Sequence, residues 1–155
     1  HKIALLEKGA SRLGLDIVHP MLQDATKFSG EWKEQMDVVI ADVPCSGLGV
    51  IRKKPDIRYK DLEQIQGLPA VQTAILENVC QYVKPEGVLL YSTCTVLKRE
   101  NEMVVETFLK NHPQFTLERF SVPPKMGSDN CGALTLYPCV QQTDGFFIAK
   151  LRRAK

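Results

Sequence analysis

Two cysteines and two aspartates stand where an α/β protein does its chemistry. Asp42 closes the apolar run Val38-Val39-Ile40-Ala41, and Cys45 follows it in Val43-Pro44-Cys45-Ser46-Gly47-Leu48-Gly49. Cys94 follows a second apolar run, Gly87-Val88-Leu89-Leu90-Tyr91, in Ser92-Thr93-Cys94-Thr95. Loops just past the carboxyl ends of strands are where open α/β sheets bind ligands. A thiolate held there can attack an electrophilic carbon. A strand-end carboxylate suits the hydroxyl or amine groups of a nucleotide-like cofactor, and Asp24, after Ile17-Val18-His19-Pro20-Met21-Leu22, offers a second one. Each residue alone also has a bland reading: cysteine is often buried and inert, and an acid after a strand satisfies nearby backbone N–H groups. Ser46-Gly47-Leu48-Gly49 holds only a lone GxG, a weak phosphate signal. His19 and His112 each neighbour a proline and read as structural.

The elements that must position these groups alternate. Ile3, Leu6, Ala10 and Leu13 recur at helical steps, so a helix is expected over residues 1–14, ended by Gly14. A short strand follows at 17–22, demoted toward a sheet edge by Pro20. Residues 29–35 read as a short helix or turn, and Met36 to Asp42 as a strand. A long loop at 46–60 carries Arg52, Lys53, Lys54 and Arg58. Asp61 caps a helix that runs to Val83, with a kink at Gly67-Leu68-Pro69, and Pro85-Glu86-Gly87 turns into a strand at 88–92. Lys98 to Asn111 is helical, residues 121–133 form an exposed loop, and strands are expected at 115–118, 134–137 and 146–151, the last two pairing antiparallel. This pattern predicts a doubly wound α/β domain with a mostly parallel sheet and an antiparallel C-terminal edge.

Composition sets the outer limits. A chain of 155 residues with 44% hydrophobic and 25% charged residues fits one globular domain. A formal charge of +2 does not by itself prescribe a nucleic-acid partner, although Arg52-Lys53-Lys54 and Arg152-Arg153 are basic clusters. No apolar run approaches the roughly 20 residues that span a bilayer, and no signal-peptide pattern opens the chain, so a cytoplasmic location with no membrane partner is expected. Cysteines at 45, 80, 94, 131 and 139 form no C-x2-C pair, which points to reduced thiols and no metal site.

Taken together, Asp42-Val43-Pro44-Cys45-Ser46-Gly47-Leu48-Gly49, Arg52-Lys53-Lys54-Pro55-Asp56 and Tyr91-Ser92-Thr93-Cys94-Thr95 strongly resemble the Sun (RsmB-like) RNA cytosine-5 methyltransferases. Arg12-Leu13-Gly14, Lys98-Arg99-Glu100-Asn101-Glu102 and Asp144-Gly145-Phe146-Phe147-Ile148-Ala149 extend the likeness over nearly the whole chain. The resemblance implies a Rossmann-like S-adenosylmethionine-dependent fold and a substrate in RNA, ribosomal RNA above all. It implies that Cys94 adds to C6 of a cytosine, that C5 then takes the methyl group, and that Cys45 helps remove the C5 proton and release the product. Asp42 would contact cofactor and cytosine, and Asp24 the cofactor. Covalent addition divides one hard step into two, and the base must leave its stack, which favours single-stranded or loop RNA. Arg52, Lys53, Lys54 and Arg58 would meet phosphates, which position RNA without specifying the site; their bland reading is a solvated loop.

One departure tempers the likeness. The family's glycine-rich cofactor loop and the acid after its second strand have no counterpart here, so the chain is expected to be the C-terminal portion of a catalytic domain, with cofactor binding weak or absent and little activity alone. The strand at 17–22 would then be displaced, disordered or paired with a second chain, and the exposed sheet edge would favour self-association. Two other readings compete: DNA cytosine-5 methylation with Cys45 as attacker, and an RNA-binding or interaction module without catalysis.

Overall fold

The computed structural model describes residues 2–127 and 130–155. His1, in the expected first helix, and Ser128 and Asp129, in the expected 121–133 loop, lie outside the described residues. In chain order the elements are α1 (Lys2–Arg12), β1 (Met36–Asp42), α2 (Leu62–Gln66), α3 (Leu68–Val79), β2 (Val83–Thr93), α4 (Glu102–Asn111), β3 (Phe115–Leu117), β4 (Ala133–Leu136), α5 (Pro138–Gln141) and β5 (Phe146–Arg153).

The sheet runs β1-β2-β5-β3, with β4 also on β5. β1 and β2 are parallel, with Asp42 opposite Ser92, so both apolar runs end at the same edge. β5 lies antiparallel to β2, β3 and β4. The sheet is therefore mixed rather than mostly parallel: among the described strands only β1 and β2 pair in parallel. The expected β4–β5 pairing is present, and the connection between them is too short for the crossover that parallel strands need. Along β5, Phe147, Ala149 and Leu151 are buried while Phe146, Ile148 and Lys150 are only partly so, the two-residue period of a pleated strand.

Local signals place the helices. The Asp61 carboxylate accepts the Glu63 N–H at 2.9 Å, capping α2. Gly67 then breaks the helix, and Pro69 sits in the first turn of α3, where a missing N–H costs nothing. The helix expected to reach Val83 ends earlier, because Cys80–Tyr82 form a 3-10 turn and β2 already begins at Val83. β2 runs through Pro85-Glu86-Gly87 instead of turning there, with a register shift on β1 between Met36 and Val38 and a left-handed Glu86. The core joins Leu76 of α3, Leu89 and Tyr91 of β2, Phe108 of α4, and Phe147 and Leu151 of β5. His112 stacks on Phe108 with ring centres 4.4 Å apart and bonds the Glu77 carboxylate, the structural part expected of it.

The strand expected at 17–22 does not form. Ile17 is 79% and Leu22 88% exposed, and Pro20 brings no N–H to a ladder. The chain reattaches just beyond: Asn78 Nδ2 donates to the carbonyls of Ala25 at 2.8 Å and Lys27 at 3.0 Å, and Phe28 stacks on Tyr82. Among the described residues no helix is long and apolar enough to cross a membrane.

Candidate active site

β1 and β2 deliver the two cysteine loops side by side. Cys45 Sγ lies 3.1 Å from Cys94 Sγ and also accepts the Cys94 backbone N–H at 3.3 Å. Both thiols are partly exposed. Burial, then the hydrogen bond with Cys94 and the charge of that neighbour, push the Cys45 thiol well above its ordinary value. Cys45 is thus a thiol at neutral pH, able to donate S–H to the sulfur beside it. Cys80, the bland comparison, is buried, pushed up to about 12 mainly by that burial, and donates to the Glu77 carbonyl.

Backbone contact too close for side chains holds the loops together. The Gly49 N–H donates to the Cys94 carbonyl at 3.0 Å, and the Gly145 N–H donates to the Gly49 carbonyl at 2.7 Å. A Cβ on Gly49 would stand 2.1 Å from the Gly145 oxygen, so neither glycine tolerates a side chain without the loops parting. Asp144, beside Gly145, forms ion pairs with Arg52 and Lys53.

Of the sequence-derived candidates, Cys45, Cys94 and Asp42 are gathered at one edge. Asp42 is exposed, and its Oδ1 accepts the Ser92 hydroxyl at 2.9 Å, two residues before Cys94. Asp24 is not gathered with them by any contact among the described residues: its Oδ1 accepts the Thr26 N–H at 3.0 Å and hydroxyl at 2.7 Å, and its other oxygen faces Lys27. Those hydrogen bonds hold its carboxyl below the usual range. Lys54 and Arg58 are exposed on the 46–60 loop, whereas Arg52 and Lys53 are exposed but already share Asp144. Sequence reasoning did not single out Lys60, whose Nζ donates to the Ser46 carbonyl at 2.7 Å, nor Gln72, Glu100 and Asn101, all buried beneath the loops. Their polarity gave no local sign of burial. The one available signal was that Glu100-Asn101 belongs to a stretch already matched to the family.

An open groove of about 520 Å³ lies between α3 and α4, lined by residues such as Thr73, Arg99 and Met103, and none of the cysteines or strand-end acids lines it. Cys45, Cys94 and Asp42 lie instead at the carboxyl ends of β1 and β2, where open α/β sheets bind ligands.

The fold is that of the Rossmann-like S-adenosylmethionine-dependent methyltransferases. Solved neighbours agree: NSun6 from Pyrococcus horikoshii, crystallised with SFG, is 30% identical with a TM-score of 0.76 over 97% of this chain and 38% of that one. A methyltransferase homolog protein from the same organism is 29% identical, TM-score 0.77, over 97% of this chain and 49% of that one. The family model for 16S rRNA methyltransferase RsmB/F matches residues 1–152, and the chain belongs to that family. The probable ribosomal RNA small subunit methyltransferase B of Bacillus subtilis is 40% identical over 99% of this chain and 36% of its own length. The ribosomal RNA small subunit methyltransferase F of Aeromonas salmonicida is 34% identical over 98% of this chain and 33% of its own. The chain thus spans about a third of these relatives.

Proposed function

We propose that this chain carries the methyl-accepting half of an RNA cytosine-5 methyltransferase site acting on ribosomal RNA, with Cys94 as nucleophile. The observation that carries this reading is the pair of partly exposed sulfurs 3.1 Å apart at adjacent strand ends, beside an exposed aspartate.

Cys94 as thiolate forms a bond to C6 of the target cytosine, and the displaced electron pair makes C5 nucleophilic. Asp42, held by Ser92 through one oxygen, has its exposed carboxylate edge for the base's N3 and amino group and stabilises charge there. The same exposed edge fits a polar group of S-adenosylmethionine, which when bound supplies the methyl group as an electrophile. The further role of Asp24 in holding it is part of this proposal, and would require the ligand to take over from Thr26 and Lys27. Once Cys94 is tied to carbon as a thioether, it no longer raises the Cys45 pKa by hydrogen bond and charge. Cys45 then ionises more readily, accepts the C5 proton, and the C6–sulfur bond breaks to free Cys94. In this reading the coupling favours Cys94 acting first and Cys45 second. Lys54 and Arg58 meet phosphates, with Arg52 and Lys53 joining if Asp144 releases them.

The test uses the full-length protein with S-adenosylmethionine and an RNA containing 5-fluorocytosine, which has no C5 proton to lose and traps the adduct. A covalent complex is expected with wild type and with Cys45→Ala, and none with Cys94→Ala. Loss only with Cys45→Ala would assign the attack to Cys45 as in DNA-type enzymes. No adduct with any variant would favour a binding module.

A further inference from the structure

We propose that the consecutive residues Glu100 and Asn101 form a clamp that sets the distance between the two sulfurs, with Glu100 a positioning residue for Cys45 and Asn101 for Cys94; this rests on the reading of those cysteines as a working pair. Glu100 and Asn101 are both fully buried, at the turn between β2 and α4. Glu100 Oε2 accepts the Ser46 N–H at 2.8 Å and a Gln72 Nε2–H at 3.0 Å, while Gln72 Nε2 also donates to the Pro44 carbonyl at 2.9 Å. The peptide groups on both sides of Cys45 are therefore fixed by one carboxylate and its brace.

Asn101 does the same for the other loop. Its Oδ1 accepts the Thr93 hydroxyl at 2.6 Å and its Nδ2 donates to the Thr95 carbonyl at 3.1 Å, bracketing Cys94. The Ser46 and Thr95 hydroxyls, 2.8 Å apart, join the two halves. Ser46 has no freedom left: its N–H meets Glu100, its hydroxyl Thr95, and its carbonyl Lys60. The Tyr91 hydroxyl donates to the Glu100 carbonyl at 2.6 Å and fixes the clamp on the central strand.

This network is not what stability alone would choose. Removing a carboxylate from water is costly, and among the described residues Glu100 has neutral donors rather than an ion-pair partner. Glu100 Oε1 and Gln72 Oε1 are buried with no hydrogen-bond partner among the described residues. Orphaned polar atoms in a native core call for a reason beyond packing, and geometric control of two reactive sulfurs supplies one, because a displacement of about 1 Å can cost about a hundredfold in rate.

Phenylarsine oxide reads the spacing without RNA or cofactor. Its arsenic forms two bonds to sulfur, and its oxygen leaves as water with the two thiol protons, so tight binding requires both thiols within reach. In full-length protein with Cys131→Ser and Cys139→Ser, which removes the exposed thiols of this segment, one equivalent should protect Cys94 from alkylation, read at its own peptide by mass mapping. Glu100→Leu should weaken that binding at least tenfold, Glu100→Gln, which keeps an acceptor for the Ser46 N–H, less than threefold, and Asn101→Leu at least tenfold. Val105→Ala, a core change outside the clamp, should leave it unaltered. Should Glu100→Leu fail to fold, Gln72→Leu, which removes the brace to Pro44, replaces it with the same expected weakening. Binding at the wild-type level in the clamp variants, or equal weakening in Val105→Ala, overturns the proposal. Weakened binding together with no RNA adduct in any protein upholds the clamp while refuting methyl transfer through Cys94.

Discussion

α1 and α4 are amphipathic helices of similar length, and only one of them is packed. α4 buries Val104, Val105 and Phe108 against the sheet, whereas α1 buries none of its residues, leaving Leu5 64%, Leu6 55% and Leu13, just past its end, 61% exposed. Periodicity fixes that a segment is helical and which face is apolar. It does not supply the surface that face needs. β2 and β5 supply it for α4, and among the described residues nothing equivalent lies under α1. The edge of β1 repeats the pattern, with Val38 and Ile40 more than half exposed.

The sharpest way to break this contrast is to truncate each helix at its apolar stripe. Phe108, fully buried against His112 and Phe115, should cost about 3–5 kcal/mol on replacement by alanine. The same change at Leu6 should stay within about 0.5 kcal/mol, as for exposed positions generally. Urea unfolding of the two variants measures both, and comparable losses would mean that α1 is packed in solution.

The thiols repeat the contrast of partnered against unpartnered groups. Wild-type Cys45 should react with iodoacetamide only at strongly alkaline pH, since its pKa is raised by burial and then by Cys94. Cys94→Ala removes the second and third causes, so the pH at which Cys45 alkylates should fall. The exposed Cys139 should keep its profile in both proteins. Peptide mass mapping after timed alkylation reads all three, and an unchanged Cys45 midpoint would remove the coupling on which the order of the two thiols rests.

What sequence makes legible follows the same division. Asp42, Cys45 and Cys94 were readable because strand ends announce themselves: an apolar run stops, and Pro, Ser or Gly follows. The Asp61 cap and the break at Gly67 were readable for equally local reasons. The strand expected at 17–22 does not form, because a short apolar, partly β-branched run makes a strand only where another backbone accepts its hydrogen bonds. The early start of β2 was missed because Pro85-Glu86-Gly87 has turn chemistry, which the register shift on β1 absorbs. Glu100 and Gln72 carry no sequence sign of their place beneath the cysteine loops, since a buried polar residue has the same letter as a solvated one.

A smaller effect sharpens the C-terminal side. Glu118, just past β3, bonds Lys150 and Arg152 of β5, and these hydrogen bonds lower its pKa to about 2. An unfolded glutamate titrates near 4.3. The depressed value means that its stabilising contribution is complete above the unfolded value and is lost as pH falls toward about 2. Stability of Glu118→Gln should therefore lie slightly below wild type at pH 7 and converge with it across that acid window. Thermal melts at steps of pH detect the convergence, and parallel curves would show that the β3–β5 seam does not depend on this carboxylate.

The smallest expected effect falls on Leu22, which is 88% exposed in a segment with no ladder partner among the described residues. Leu22→Ser removes an apolar side chain from water rather than from a core, so unfolding free energy should change by less than about 0.5 kcal/mol. The measurement is made at two protein concentrations, because anything that binds only the folded state makes apparent stability depend on mass action. A loss that grows with concentration would mean that the 17–22 segment and the open β1 edge are covered by a second copy of the chain. A loss above about 1 kcal/mol at every concentration would instead place Leu22 against its own chain, and the contrast between the two halves of the molecule would have to be redrawn.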